Sequence, residues 1–153
     1  MARAIWYPAA LGPLLAACTL GQPIQSVQEV PAPPDTVAER VAAGFVRLGL
    51  DRPSDEGERK LSANLGHVRT NWANCPPRFV GAGDDRRIMA TAGRRHGNVE
   101  VTLAPVPAGT RVEVHTRYVG VYRNYATGYT FETPCNSTGV VENELVAAAA
   151  GEG

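Results

Sequence analysis

The sequence has no excess of charge and no apolar run long enough to cross a membrane as a helix. Its 15 Lys and Arg residues balance 15 Asp and Glu residues, so no bulk attraction to nucleic acid or to an anionic membrane is expected. The N-terminal apolar run, residues 4–17, has 14 residues, whereas a transmembrane helix needs about 20. With 44% apolar and 20% charged residues, the composition is that of an ordinary globular protein.

A recognisable catalytic set is also missing from the sequence. No serine stands in a Gly-x-Ser-x-Gly elbow. The candidate bases are the three histidines, His67, His96 and His115. His115 has side-chain parity opposite to Val112 and Val114, so it is expected to face solvent. Asp84 and Asp85 lack the additional oxygen ligands of a calcium loop. We therefore predict that the protein is not an enzyme and binds no metal or cofactor.

The N-terminal 18 residues have the layout of a secretory signal. One cation, Arg3, precedes the apolar run, and small residues lead into Cys18. The segment Leu15-Ala16-Ala17-Cys18 resembles the lipobox of bacterial lipoproteins. In that family the signal peptide is cut before the cysteine, and acyl chains are added to its thiol and amine. The resemblance implies that residues 1–17 are a signal peptide and that Cys18 carries lipid. The alternatives are an ordinary cleaved signal with an unrelated cysteine, or an exposed apolar N-terminus.

The same resemblance implies a location. A lipoprotein of this kind faces the periplasm, held to a membrane by two or three acyl chains, since one chain alone binds only marginally. Thr19 follows the cysteine. By similarity to enteric lipoproteins, the absence of Asp at this position implies the outer membrane, with the inner membrane and the cell surface as alternatives.

Two cysteines remain once Cys18 is assigned to the lipid. In an oxidising compartment, Cys75 and Cys135 are expected to form a disulfide that closes a loop of about 60 residues. Two free thiols or a metal site are the alternatives. No second Cys or His stands at metal-ligand spacing from Cys75.

Residues 18–34 are predicted to be the lipidated cysteine and a tether, and residues 35–150 a single domain. Within the tether, residues 24–30 are compatible with a short edge strand ended by the prolines that follow. Helical spacing over 35–49 places one set of apolar side chains on one face, namely Val37, Val41, Phe45 and Leu48. Thr36 and Glu39 match a capping box, with Asp35 as a competing cap.

A second helix is predicted over residues 136–150. Ser137 or Thr138 is expected to cap it, and Glu142 lies in its first turn. The apolar face of this helix consists of Val141, Leu145 and Ala148.

Strand signals lie between the two helices. Alternation or β-favouring composition marks residues 67–72, 87–92, 98–103, 110–118 and 129–135. Turns are expected at 107–109 and 126–128. Because the strands run together, the predicted class is α+β. We expect an antiparallel sheet of about four to five strands, with the N-terminal and C-terminal helices packed on one face.

This layout resembles the helix-grip domains of the BamC type, found in small proteobacterial lipoproteins. The resemblance is carried by the helix over 36–48, the Gly-Thr-Arg-Val hairpin at 109–112, and Ser137-Thr138-Gly139 with Glu142 opening the last helix. It implies a scaffold or assembly role without catalysis.

Tyrosines and arginines supply the candidate binding surface. Tyr118 and Tyr122 share one strand parity, and Tyr125, Tyr129 and Phe131 share the other, so part of this aromatic set is core. The arginines between 78 and 95 either face an anionic envelope polymer or lipid headgroup, or are simply solvated. The candidate surface consists of Tyr122, Tyr125, Tyr129, Arg94 and Arg95.

These observations predict a lipid-anchored, non-catalytic periplasmic protein that binds or scaffolds another cell-envelope protein. The alternative is a module that binds peptidoglycan or another glycan through exposed tyrosines.

Overall fold

The computed structural model describes residues 24–51, 53–55, 59–80 and 87–152. Eight strands and two helices occur in this part of the chain. In chain order they are β1 (Val27–Val30), α1 (Pro34–Arg47), β2 (Ser54–Asp55), β3 (Lys60–Leu65), β4 (Ala73–Asn74), β5 (Arg78–Val80), β6 (Arg87–Val106), β7 (Gly109–Asn124), β8 (Thr130–Ser137) and α2 (Val140–Ala150). All strand pairs are antiparallel. The α+β class is therefore confirmed.

The number of strands is larger than the predicted four to five. Three of the additional strands, β2, β4 and β5, have only two or three residues. Such short strands carry no side-chain periodicity, so a sequence pattern cannot reveal them. The predicted strand over residues 67–72 is wrong, because that segment contains turns and irregular backbone.

A long hairpin of β6 and β7 forms the centre of the sheet. The strand order is β2-β3-β6-β7-β8-β4, with β1 also paired to β7 and β5 also paired to β6. β6 joins the two strands predicted at 87–92 and 98–103 into one continuous strand. Gly97 permits the continuation, since a Cβ there would lie 2.3 Å from the Arg117 carbonyl oxygen. The turn at Pro107-Ala108 lies where it was predicted.

The main core joins the two helices to the closed end of this hairpin. Leu103 pairs with Val112 and Val101 with Val114, and all four side chains are buried. Both helices contribute to the same buried cluster, through Val37, Val41, Phe45, Val141, Leu145, Val146 and Ala149. The helices contact each other, α1 also contacts β6 and β7, and α2 contacts β7 and β1. The predicted apolar faces of both helices are thus buried.

The start of α1 differs from the prediction. The helix begins at Pro34, its N-cap is Pro33, and no side chain caps it. The expected capping box of Thr36 and Glu39, or a cap by Asp35, is therefore wrong. Proline at the first helical position has no N–H to satisfy and has φ already suited to a helix, so it sets the start.

The start of α2 also differs. Gly139, at φ +84°, is the N-cap, and no side chain caps this helix. The Ser137 hydroxyl accepts a hydrogen bond from the Gly139 N–H at 3.0 Å, and Thr138 Oγ1 donates to the Asn71 carbonyl at 2.6 Å. The Ser137 and Thr138 side chains therefore bond to backbone groups outside the helix and do not cap it. The helix begins at Val140.

The sheet begins before the predicted domain boundary at residue 35. β1 pairs with β7, from Val27 opposite Glu113 to Val30 opposite Thr110, and Val30 is buried in the core. The short edge strand expected there is confirmed. The predicted signal peptide, Cys18 and the first residues of the tether lie outside the described residues.

Candidate binding surface

The turn between β7 and β8 holds two tyrosines at the far end of the long hairpin. The Asn124 side chain accepts hydrogen bonds from the N–H groups of Ala126 and Thr127, at 2.9 and 3.1 Å. Gly128 adopts φ +72° and donates to the Asn124 carbonyl. These bonds order the turn and leave Tyr125 and Tyr129 on its surface.

Tyr125 and Tyr129 are the most exposed large apolar side chains among the described residues, at 64% and 69%. The Tyr125 backbone N–H donates to the Met89 carbonyl at 3.0 Å. Its hydroxyl is hydrogen-bonded to Thr91 Oγ1. Tyr125 is therefore held against β6, and Tyr129 stands at the start of β8.

Three further exposed apolar residues lie at the same end of the sheet. Phe79 of β5 pairs with Ile88 of β6, and Val80 pairs with Arg87. Phe79, Val80 and Ile88 are 41% to 57% exposed. We call the set of Phe79, Val80, Ile88, Tyr125 and Tyr129 the apolar end. It includes both faces of the sheet, since Phe79 and the adjacent Val80 point to opposite faces. Sequence reasoning missed its β5 members, because a three-residue strand directly after two prolines shows no periodicity.

Tyr122, one of the candidate surface residues, is instead fully buried. Its hydroxyl donates to the Pro76 carbonyl at 3.0 Å, and its ring stacks on Phe131 with 5.5 Å between centroids. The Arg78 guanidinium lies 5.7 Å from the ring centroid. Tyr122 and Ala90 are buried but lie outside the main core cluster. They form a second, smaller core under the segment that follows Cys75, and Tyr122 is removed from the candidate surface.

A disulfide between Cys75 and Cys135 closes this second core. The two Sγ atoms are 1.99 Å apart, and the cysteines are 60 positions apart in the sequence. The predicted bridge is thus present in the structure. It joins β8 to the segment that leads into β5, and so ties the two sides of the apolar end together.

Arg94 and Arg95 lie beyond a β-bulge in β6. The register shifts between Ala92 and Arg94, and the two arginines then pair opposite Val121 and Gly120. Arg94 is exposed, whereas Arg95 is half-buried. Because adjacent strand residues point to opposite faces, the two arginines do not form one patch. Only Arg94 remains on the solvent-exposed surface.

His67 and His115 are exposed, whereas His96 is half-buried in the sheet. His96 lies 3.9 Å from a Glu132 carboxylate oxygen, and His115 lies 3.8 Å from one of Glu113. His115 is exposed, as its strand parity predicted. Within the described ranges, no three His, Cys, Asp or Glu side chains are arranged to hold a metal ion. Asp84 and Asp85 lie outside those ranges.

A buried polar cluster lies where α2 meets the sheet. Thr116 Oγ1 donates to Glu142 Oε1 at 2.5 Å, and Glu142 is only 4% exposed. Burial raises the pKa of Tyr118 to about 12, with a further contribution from the Glu142 carboxylate. The Thr116 and Ser137 hydroxyls act in the opposite direction. Sequence reasoning placed Glu142 in the first helical turn but did not identify its burial.

Comparison of the chain with protein-family models, with curated proteins and with solved structures gives no match. Neither helix of the described ranges is long and apolar enough to span a membrane.

Proposed function

We propose that this protein is a lipid-anchored, non-catalytic periplasmic protein that binds another cell-envelope protein through its apolar end. The observation that carries the proposal is the exposure of five large apolar side chains at one end of the sheet. Clustered exposed apolar surface marks an interaction site more often than single exposed residues do. Tyrosine is also enriched among the residues that dominate binding energy.

The rigidity of the apolar end supports the proposal. Tyr125 is tied to β6 by its backbone N–H and its hydroxyl. The disulfide and the hydrogen bond from Tyr122 to Pro76 hold the segment that carries β5. A surface that is ordered before binding loses less conformational entropy on association, so its contact area contributes more to affinity.

Exposed arginines border the apolar end and supply a polar rim. Arg87 is opposite Val80, and Arg123 is opposite Thr130 at the start of β8. Both are exposed. Arginine is enriched at protein interfaces, where an apolar centre is commonly surrounded by a polar rim.

Capture of a defined partner tests the role of the apolar end. The wild-type protein is crosslinked in the cell envelope, and the captured protein is identified by mass spectrometry. Tyr129→Ala is expected to weaken binding of that protein at least tenfold, because truncating an exposed aromatic anchor removes most of its contact area. Val46→Ala is the matched control, since Val46 is similarly exposed but lies on α1. Equal binding by the two variants would remove the apolar end from the proposal.

The intact mass of the membrane-extracted protein tests the lipid anchor. We expect a chain that starts at Cys18, carries acyl groups and lacks the two hydrogens of the Cys75–Cys135 dithiol. A Cys18→Ser variant is expected to lose the acyl mass and the membrane attachment. A wild-type chain that retains residues 1–17 would contradict both the anchor and the periplasmic location.

Binding of peptidoglycan or another glycan is the second candidate function. It is favoured by the two exposed tyrosine rings at one turn, since aromatic rings offer flat apolar faces beside a polar group. Co-sedimentation with purified cell wall tests it, using the double variant Tyr125→Ala and Tyr129→Ala. Retention of the variant in the pellet at the wild-type level would count against this function. Tyr122→Ala is unsuitable here, because it removes a buried side chain.

A further inference from the structure

β8 has one open edge next to the apolar end. One side of the strand pairs with β7, from Thr130 opposite Arg123 to Cys135 opposite Tyr118. On its other side, β4 pairs only with Asn136 and Ser137. No other strand of the described ranges pairs with residues 130–134. The open edge therefore begins directly after the exposed Tyr129.

The backbone groups that point out of this edge follow from the hydrogen bonds. The Asn124 N–H donates to the Tyr129 carbonyl at 2.8 Å, so Tyr129 directs its backbone groups towards β7. Residues alternate along a strand, so Phe131 and Thr133 also face β7. Thr130, Glu132 and Pro134 direct their backbone groups away from the sheet. The other end of β8 shows the same alternation. Thr138 has the same parity as Thr130 and Glu132, and its backbone N–H points away from β7 and donates to the Trp72 carbonyl at 3.1 Å.

We propose that the partner protein binds as an additional β-strand along residues 130–134 of β8. This inference rests on the proposed function and specifies how the partner is held. Thr130 and Glu132 each present one N–H and one carbonyl, and Pro134 presents a carbonyl alone. Main-chain hydrogen bonds along such an edge provide affinity in strand-addition complexes. The neighbouring Tyr129 adds apolar contact at one end of the added strand.

The side chains on this edge favour a different protein over a second copy of this chain. In a two-fold antiparallel pair centred on residue 132, the Glu132 carboxylates of both copies would face each other. Like charges directly opposite are destabilising. Pro134 would then oppose Thr130 of the other copy without an N–H to donate. Charged residues and proline are common protections of strand edges against self-association.

The same side chains indicate the chemistry of the added strand. Glu132 is 61% exposed on one face of β8, which favours a basic residue opposite it. Phe131 is half-buried on the other face and lies beside the exposed Tyr129, which favours apolar neighbours there. The partner is expected to supply an extended segment that has a basic residue on one face and apolar residues on the other.

A proline substitution tests the backbone contact separately from the side chain. Glu132→Pro removes the outward N–H, while the pairing with β7 does not use that group. The native Pro134, at an equivalent outward position, shows that this strand accommodates the proline ring. Glu132→Ala is the matched control, because it removes the carboxylate but keeps the N–H. With the partner identified by crosslinking as the probe, we expect Glu132→Pro to weaken binding at least tenfold and more than Glu132→Ala does.

Amide hydrogen exchange of the wild-type protein provides a second measurement that does not depend on how a variant folds. The Thr130 and Glu132 amides are expected to exchange at least tenfold more slowly in the complex than in the free protein. Unchanged exchange, or equal binding by Glu132→Pro and Glu132→Ala, would overturn strand addition. Loss of binding on Tyr129→Ala would in that case still support the proposed function. Crosslinks between two copies through β8 would also overturn the inference, and a wild-type chain that captures no envelope protein would overturn both proposals.

Discussion

The Tyr118 hydroxyl shows how burial alters the chemistry of a single residue. It lies beneath α2, beside the buried side chain of Glu142. Its ring belongs to the main core, and it shares strand parity with the buried Val112 and Val114. Its environment depends on Glu142, which comes from an element 24 residues further along the chain. No local pattern contains that information.

The raised pKa of Tyr118 predicts a loss of stability at high pH. The unfolded chain ionises this tyrosine near pH 10, whereas the folded protein keeps it neutral up to about pH 12. The stabilisation of the folded protein by neutral Tyr118 is therefore fully present below pH 10. It is lost as the pH rises from about 10 to about 12. It amounts to roughly 2–3 kcal/mol of unfolding free energy.

Denaturant unfolding at a series of pH values measures this contribution. Other groups also titrate in this range, so the wild-type protein is compared with Tyr118→Phe. We expect the variant to gain stability relative to the wild type between pH 10 and pH 12. Parallel curves for the two proteins would show that Tyr118 ionises as readily in the folded state as in the unfolded one.

At the scale of elements, the close contact of α1 with α2 depends on one glycine. A Cβ on Gly44 would lie 2.8 Å from the Ala148 Cβ and 3.2 Å from Leu145 Cδ2. Gly44 is buried together with the apolar face of α1 that the sequence pattern predicted. The pattern did not indicate that a second helix crosses at this point, because the crossing is a property of the pair.

Gly44→Ala is expected to destabilise the protein although alanine favours helix. The gain in helix propensity is about 1 kcal/mol. Overpacking of a tight contact commonly costs about 1–3 kcal/mol, so the net change in unfolding free energy is a loss of about 1 kcal/mol. Urea unfolding measures it. Gly66→Ala is the matched control, since a Cβ at Gly66 meets no atom within 4 Å.

A double variant isolates the contact. In the Ala148→Gly background, the Cβ added by Gly44→Ala has space, so the loss should be smaller than in the wild type. If Gly44→Ala lowers the unfolding free energy equally in both backgrounds, the contact between Gly44 and Ala148 is not the cause of the destabilisation.

At the scale of the whole molecule, the described residues form two packed regions that share the β6–β7 hairpin. The main core lies under the helices, and the smaller one surrounds Tyr122 and Phe131. The disulfide lies between them, since Cys75 and Cys135 pack against the main cluster and Cys135 also pairs opposite Tyr118. It therefore connects the core that determines the fold to the region that presents the apolar end.

Removal of the disulfide is expected to lower stability substantially. On the chain-entropy model, closing a loop with 60 residues of sequence separation contributes about 4 kcal/mol. The double variant Cys75→Ser and Cys135→Ser should therefore unfold at a markedly lower denaturant concentration under non-reducing conditions. Cys18→Ser is the control and should not change the midpoint. A double variant as stable as the wild type would show that the bridge does not constrain the unfolded chain.

Several features follow from the sequence because they depend on residues close together in the chain. Alternating valines on either side of the turn at 107–109 predict the two strands of the central hairpin, and helical spacing predicts the buried faces of both helices. The even pair Cys75 and Cys135 predicts the disulfide once Cys18 is assigned elsewhere. Each of these predictions depends on the spacing of apolar residues or on the number of cysteines, and both can be read directly from the sequence.

Other features exist only in the tertiary structure. Pairing with β7 joins the two strands predicted at 87–92 and 98–103 into the single strand β6, across the segment that contains Gly93 and Gly97. The segment after Cys75 covers Tyr122 and leaves Tyr125 and Tyr129 exposed. The open edge at 130–134 arises because β4 ends at Asn74. In each case the contact that decides the structure joins residues that are distant in sequence. Its free energy depends on how the segments pack together, so the pattern of a single segment does not reveal it.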